Sequence, residues 1–432
     1  MSKNYSPSTA IAIIIANMIG TGVFTSLGFQ LLGIQSGFAI LMLWIVGGIT
    51  ALCGALTYAE LGAAFPRSGG EYNFLTRIYH PVAGFTSGWI SSTIGFSAPT
   101  ALAAITFGKY LSSVFPVLSS EVLAIGLILL MAQIHSARRS GSGSIQVIFT
   151  ILKILLILCF CALGLLLIET PQTLDYLPTD QNVGIIFTGT FATSLIYVNY
   201  AYSGWNAATY ISSELTHPQK SLPGILLIGT GIVTLVYVLL NYVFLYTTPI
   251  TALQGQVEIG VISAQHIFGE TGAMIMGTVM ALLLISTVSA MTIAGPRVLQ
   301  MIGEDFSIFR FLSRTNEDGI PGRAIWFQTG LALIFVITAS FESILIFSGF
   351  ALALNNFFAV LGIFVVRWRQ PDIERPYKTW LYPLPPLVYL SVTIWTLTYI
   401  MIERPVEALS SCAIVFSGVL FYFLSNYLNK SD

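Results

Sequence analysis

The sequence predicts an all-α polytopic membrane protein with twelve transmembrane helices. Three observations carry that prediction. Hydrophobic residues make up 55% of the 432 residues, charged residues only 9%, and the apolar residues fall into runs long enough to cross a bilayer. A soluble globular domain carries about 25% charged residues. A chain this poor in charge has too little polar surface to meet water, so lipid must form most of its surroundings; the mean hydropathy of +0.82 agrees.

A spanning helix needs roughly 20 mostly apolar residues. Twelve segments meet that requirement: 11–34, 38–65, 82–112, 118–135, 144–168, 184–213, 222–247, 272–300, 323–341, 343–366, 383–402 and 406–428. They form a single transmembrane domain across the chain. The stretch 249–271 is amphipathic and reads as an external cap between the seventh and eighth spans. Residues 1–10 are polar, and the apolar run after them is too long for a signal peptide, so it reads as the first span. With a cytoplasmic N-terminus, 15 of the 18 Lys and Arg residues fall on cytoplasmic loops or ends. Only Lys109 and Arg404 fall outside, and Lys153 falls within a span. That bias obeys the positive-inside rule for an even number of spans and puts both termini in the cytoplasm.

Composition also excludes functions. Net charge is −1 with no basic stripe, which argues against nucleic acid as a partner. Cys53, Cys159, Cys161 and Cys412 lie in apolar segments without metal-ligand spacing and read as buried small apolar residues. The four histidines fall near loops or ends, so no metal, cofactor or nucleophile–base set is predicted. A channel would show polar rings or a filter loop, and none is visible.

An internal repeat organises the rest. The first five spans (about 11–168) and the next five (about 184–366) each open with a glycine-interrupted span, and about 383–428 is an appendix of two more. An odd number of spans per half inverts one half relative to the other. Matching interruptions in inverted halves point to a transporter binding site. The first interruption is Gly20-Thr21-Gly22; the second is Ser203-Gly204-Trp205. An unwound stretch is tolerated in lipid only where it lines a cavity. A half-helix starting there offers N–H groups and a positive dipole end to a carboxylate, and the half-helix ending there offers carbonyls to an ammonium. Two such breaks fit a zwitterion, hence an α-amino acid. Taken alone, Gly20-x-Gly22 equally fits close helix packing. Around the second break, Ser203, Gly204 and Asn206 are interleaved with Tyr200, Tyr202, Trp205 and Tyr210, which suits an aromatic-walled pocket.

Lys153 lies about 14 Å into a hydrocarbon core about 30 Å thick, with no acidic residue in its own span. An intramembrane charge is costly and marks function. Lys153 is either a proton carrier or a fixed cation bracing the broken first helix, with Ser286, Thr287, Ser289 and Thr292 of the eighth span supplying hydroxyls. Glu60, at the end of the second span, reads as structural. Apart from Lys153, no charged side chain is expected near the breaks.

At these motifs the chain resembles the amino acid–polyamine–organocation superfamily, most closely its L-type amino acid transporter and bacterial amino acid permease branches. The resemblance covers about 11–400. It rests on Ile19-Gly20-Thr21-Gly22-Val23-Phe24, Tyr58-Ala59-Glu60-Leu61, Pro66-Arg67-Ser68-Gly69-Gly70-Glu71-Tyr72, Ala201-Tyr202-Ser203-Gly204-Trp205-Asn206, Ser213-Glu214-Leu215, Gly295-Pro296-Arg297 and Arg375-Pro376-Tyr377-Lys378. It implies a LeuT-like fold of five plus five inverted helices plus two, with helices 1 and 6 unwound at mid-membrane. It further implies that Thr21 and Gly22 N–H groups hold the substrate carboxylate. Carbonyls of Met18, Tyr200 and Ala201, with Ser203, would hold the amine. Tyr200 would be the gating aromatic, Asn206 a support for the sixth helix, and Lys153 the replacement for bound sodium. Animal members join an accessory glycoprotein through a cysteine between the third and fourth spans. Residues 111–120 contain none, so no disulfide-linked heavy subunit is expected.

These readings converge on sodium-independent transport of neutral amino acids across the plasma membrane by alternating access, through exchange or proton coupling. The rival within the superfamily is a transporter of polyamines or other organic cations. That would call for carboxylates in the core spans, where only Glu60 is close.

Overall fold

The computed structural model describes residues 6–137, 143–215 and 217–428. Lys3, Arg138, Arg139 and Lys430, four of the charges counted for orientation, lie outside the described residues.

The described chain folds into helices joined by short turns. In order they are α1 (Pro7–Met18), α2 (Gly22–Gly33), α3 (Gly37–Ala64), α4 (Glu71–Ile78), α5 (Pro81–Ile90), α6 (Ser97–Val114), α7 (Ser120–Ala137), α8 (Gly143–Leu167), α9 (Asp180–Ile185), α10 (Gly189–Tyr202), α11 (Pro218–Thr247), α12 (Ile250–Leu253), α13 (Ile259–Asp305), α14 (Gly322–Thr338), α15 (Phe341–Arg369), α16 (Leu384–Glu403) and α17 (Pro405–Leu428). Ten continuous helical stretches are long and apolar enough to cross a membrane. Starts are fixed by side-chain caps: Ser6, Ser36, Thr188 and Ser340 each accept an N–H from the first turn, and Pro7 sits where a missing N–H costs nothing.

Two of the twelve expected spans differ. The sixth, expected as 184–213, is not one helix: α10 is only 14 residues, Ser203–Asn206 is non-helical, and Ala207–Glu214 is a tight 3₁₀ stretch. Gly204, at φ 101°, takes a conformation that side-chain-bearing residues avoid, so the helix cannot continue through it. The ninth is α14, 17 residues and short for a span. The third span is continuous but carries a π-helical turn at Ser91–Gly95. α13 is bent at Gly269 (φ 71°), which divides an amphipathic leading segment from the span proper. That segment and α12 cover the end of α2: Gly255 N–H donates to Gly28 O at 2.8 Å and Gln254 Nε2 to Leu31 O at 2.9 Å.

The core lies where α1, α2 and α10 cross among α3, α6, α11 and α13. α8 and α17 pack outside it and present apolar side chains outward, among them Leu155, Leu166, Phe416 and Phe423. Such surfaces are stable only against lipid. On α8, Ile151 and Leu152 are 50% and 47% exposed while Lys153 is 5% exposed, so the one charge on that stretch points inward.

Candidate functional site

Both glycine-flanked motifs fall at helix breaks. α1 ends at Met18 and α2 begins at Gly22; α10 ends at Tyr202. The two breaks touch. A Cβ on Gly22 would lie 2.5 Å from Ala201 Cα and 2.7 Å from its Cβ, so only glycine permits this crossing. A Cβ on Gly204 would lie 3.0 Å from Asn17 C and Cβ. Gly20 has room, its nearest neighbours being Thr287 Cγ2 at 3.9 Å and Met18 O at 4.0 Å. The packing reading of the motif therefore applies to Gly22, not to Gly20.

The freed backbone groups divide into used and unused. Among the described residues, neither the Thr21 nor the Gly22 N–H has an acceptor. Ile19 O accepts from Lys153 Nζ at 3.2 Å. Met18 O accepts from Gly20 N–H at 2.8 Å and from the Tyr237 hydroxyl at 2.5 Å, filling both its lone-pair positions. The same hydroxyl lies 3.0 Å from Ala201 O, so Tyr237 of α11 spans the carbonyls of both breaks. Tyr200 O accepts only the Ser203 N–H at 3.0 Å among the described residues. Tyr237 drew no notice in the sequence, because one tyrosine in a long apolar span carries no pattern.

Lys153 Nζ also donates to Thr287 Oγ1 at 2.9 Å. The eighth-span hydroxyls do not act together as expected. Ser286 donates to Leu283 O at 2.6 Å, Thr292 to Val288 O at 2.8 Å, and Ser289 meets His135 Nε2 at 2.8 Å. His135 is buried in α7, contrary to the expectation that the histidines sit idle near loops.

A cavity of about 400 Å³ reaches the breaks. Thr21, Gly22, Tyr200, Ala201, Ser203 and Asn206 all line it. The π-turn contributes Ser91 and Gly95, and the tenth span Leu352, Asn355 and Asn356. Tyr200, Ser203 and Asn356 also line a water-sized space of about 30 Å³ beyond, so Tyr200 stands between the two. Tyr202 and Trp205 turn away from the large cavity; Trp205 packs between Tyr58 and Tyr389 at 4.6 and 6.2 Å. Only Tyr200 and Tyr210 give it the expected aromatic wall.

The expectation of no further charge near the breaks is overturned. Glu214 and Arg297, both exposed, line the cavity at the end away from α2. Glu71, fully buried at the start of α4, accepts from Asn206 Nδ2 and from the Tyr210 hydroxyl at 2.6 Å. Glu71 follows a Gly-Gly turn outside the spans, so nothing in its local sequence tied it to the sixth. Glu60 is structural: it forms a two-pronged pair with Arg367 (3.0 and 2.7 Å) and accepts the Thr379 N–H at 2.6 Å.

A family model described as amino acid permease matches residues 5–426. The chain belongs to the amino acid permease family. Among its relatives, the b(0,+)-type amino acid transporter 1 of Mus musculus is 26% identical, over 99% of the permease and 88% of the relative. The large neutral amino acids transporter small subunit 2 of Homo sapiens is 29% identical, over 99% and 81%. The Asc-type amino acid transporter 1 of Mus musculus is 28% identical, over 98% and 81%. All three are transporters, and the permease, with its apolar helices, is a multi-pass membrane transporter. The words "small subunit" in one name run against the expectation that this permease has no heavy subunit.

Proposed function

We propose that this permease carries neutral L-amino acids across the plasma membrane by alternating access, without sodium, through exchange or proton coupling. One observation carries the reading: the acceptorless N–H groups of Thr21 and Gly22 share a cavity with the Tyr200 and Ala201 carbonyls. A carboxylate suits the first pair, at the start of α2, where the helix dipole adds about half a positive charge. An ammonium suits the second, with the Ser203 oxygen beside it. Met18 O, already holding two donors, has least to give.

Independence from sodium rests on Lys153. Its ammonium lies between Ile19 O and Thr287 Oγ1, filling the space and supplying the charge that a sodium ion would bring. In this reading helices 1 and 6 are unwound at mid-membrane, within a LeuT-like fold of two inverted repeats (about 11–168 and 184–366) and two added helices (about 383–428). Both termini are cytoplasmic. The cavity then faces the cytoplasm through Glu214 and Arg297, while α12 and the lead of α13 seal the outside. Asn206 supports the broken sixth helix, and Tyr200 gates the site. No disulfide-linked heavy subunit is needed, since 111–120 holds no cysteine.

Uptake of labelled neutral amino acids into proteoliposomes tests the reading, with sodium replaced by choline and with internal amino acid present or absent. Saturable, sodium-indifferent uptake is expected; none under any gradient would refute transport. The organic-cation alternative is favoured by one feature, the Glu214 carboxylate in the cavity wall. Competition by putrescine but by no neutral amino acid would favour that alternative.

A further inference from the structure

Glu71 is the one buried carboxylate beside the cavity whose partners are all neutral among the described residues. It is 0% exposed, and no Lys, Arg or His lies within ion-pair distance. Each of its oxygens takes one donor: Oε1 the Asn206 amide nitrogen, Oε2 the Tyr210 hydroxyl. The backbone is shaped to allow this. Gly70 holds φ 52°, and a Cβ there would lie 2.7 Å from Tyr210 Cε1, so the tyrosine ring rests directly on the turn that delivers Glu71.

An ionised carboxylate accepts and never donates. Asn206 must therefore turn its NH₂ toward Glu71, which leaves Oδ1 for the other side. Tyr210 must give up its only proton, which leaves a lone pair. Both residues line the large cavity, and no described group donates to Asn206 Oδ1. The orientation of an amide is normally ambiguous; here the carboxylate decides it. The wall of the cavity just past the sixth-span break thus presents acceptors only.

We propose that Glu71 is a positioning residue that fixes the polarity of this wall. The wall selects, among neutral amino acids, those whose short side chain ends in a hydrogen-bond donor. The inference deepens the transport reading and rests on it. Threonine and valine are the sharp comparison, since they share a shape and differ by hydroxyl against methyl. A methyl set against Asn206 Oδ1 leaves that acceptor unpaired, and sites built around a substrate hydroxyl discriminate strongly against analogues that lack it. In a cavity that also holds water, a preference on the order of 10-fold for threonine is expected.

The test is competition between labelled threonine and valine in proteoliposomes containing the full chain. Glu71→Gln replaces one acceptor with a donor, so Asn206 or Tyr210 must reverse. The threonine-to-valine ratio of kcat/KM then falls toward one while valine uptake stays within a few-fold. Glu71→Asp, still a carboxylate, keeps the preference. Should Glu71→Gln fail to yield monodisperse protein, Tyr210→Phe decides: it leaves Glu71 on Asn206, removes one acceptor, and lowers the ratio. Equal loss of both substrates in a folded Glu71→Gln, a ratio unchanged in these variants, or no threonine preference in the unaltered protein would each overturn this inference and leave transport standing. Uptake of neither amino acid by the unaltered protein would overturn transport and this inference together.

Discussion

At the scale of single residues, the two side chains that hold the broken first helix do so through neutral oxygens. Lys153 binds Ile19 O and Thr287 Oγ1; Tyr237 binds Met18 O and lies within reach of Ala201 O. Hydrogen bonds from a charged donor are worth about 1.5–3 kcal/mol, and neutral ones about 1 kcal/mol. Lys153→Ala is therefore expected to reduce uptake by at least about 10-fold while the protein still elutes as a monodisperse peak; normal uptake would remove Lys153 from the cycle. Tyr237→Phe should weaken apparent substrate affinity about 5-fold, read as a raised KM. Lys153 was legible because a charge inside an apolar run is anomalous by composition. Tyr237 and Glu71 were not, because their importance lies in what they face, and facing is set by packing between distant segments.

At the scale of elements, the breaks show how differently two glycines of one motif behave. Gly22 lies against Ala201 with no room for a methyl group, whereas Gly20 has only ordinary contacts. Overpacking of this kind costs about 1–3 kcal/mol. Gly22→Ala should lower the melting temperature and abolish uptake, while Gly20→Ala should leave the melting temperature within a degree or two of the parent; equal shifts in both would contradict the crossing described. The positions of both breaks were readable, since glycine beside polar residues in an apolar run is a backbone signal. The sixth segment was misread as one helix because hydropathy registers apolar content and is blind to the positive φ of Gly204. The π-turn at Ser91–Gly95 was likewise invisible: its extra residue leaves composition unchanged, yet it brings Ser91 and Gly95 to the cavity.

At the scale of the whole molecule, one end of the site is covered and the other is open. The covered end is held by the cap on α2 and by Phe29 stacked between Tyr197 and Phe341 at 5.9 and 5.8 Å. The open end carries Ala294 and Arg297, both exposed and both on the cavity wall. In a variant lacking Cys53, Cys159, Cys161 and Cys412, a cysteine introduced by Ala294→Cys should react with a membrane-impermeant thiol reagent in inside-out vesicles and not in right-side-out ones. Labelling from the outside alone would reverse the proposed orientation. That a membrane protein of many helices was legible follows from physics without sequence motifs: 9% charge cannot cover a water-soluble chain of 432 residues. What the sequence left closed was the shape of the cavity, since exposure at Glu214 and Arg297 depends on how helices far apart in the chain lean together.

The Lys153 contact with Ile19 O and Thr287 Oγ1 bears on energetics across the membrane as a whole. A mobile cation that crosses with its substrate is driven by the membrane potential, by about 2.3 kcal/mol per 100 mV. A cation tethered to the chain never crosses, and a zwitterion brings no net charge. Exchange through such a carrier is electroneutral, so it redistributes amino acids between compartments without drawing on the voltage. Imposing a potassium diffusion potential with valinomycin should leave the exchange rate unchanged; acceleration by a negative interior would mean that a proton travels with the substrate.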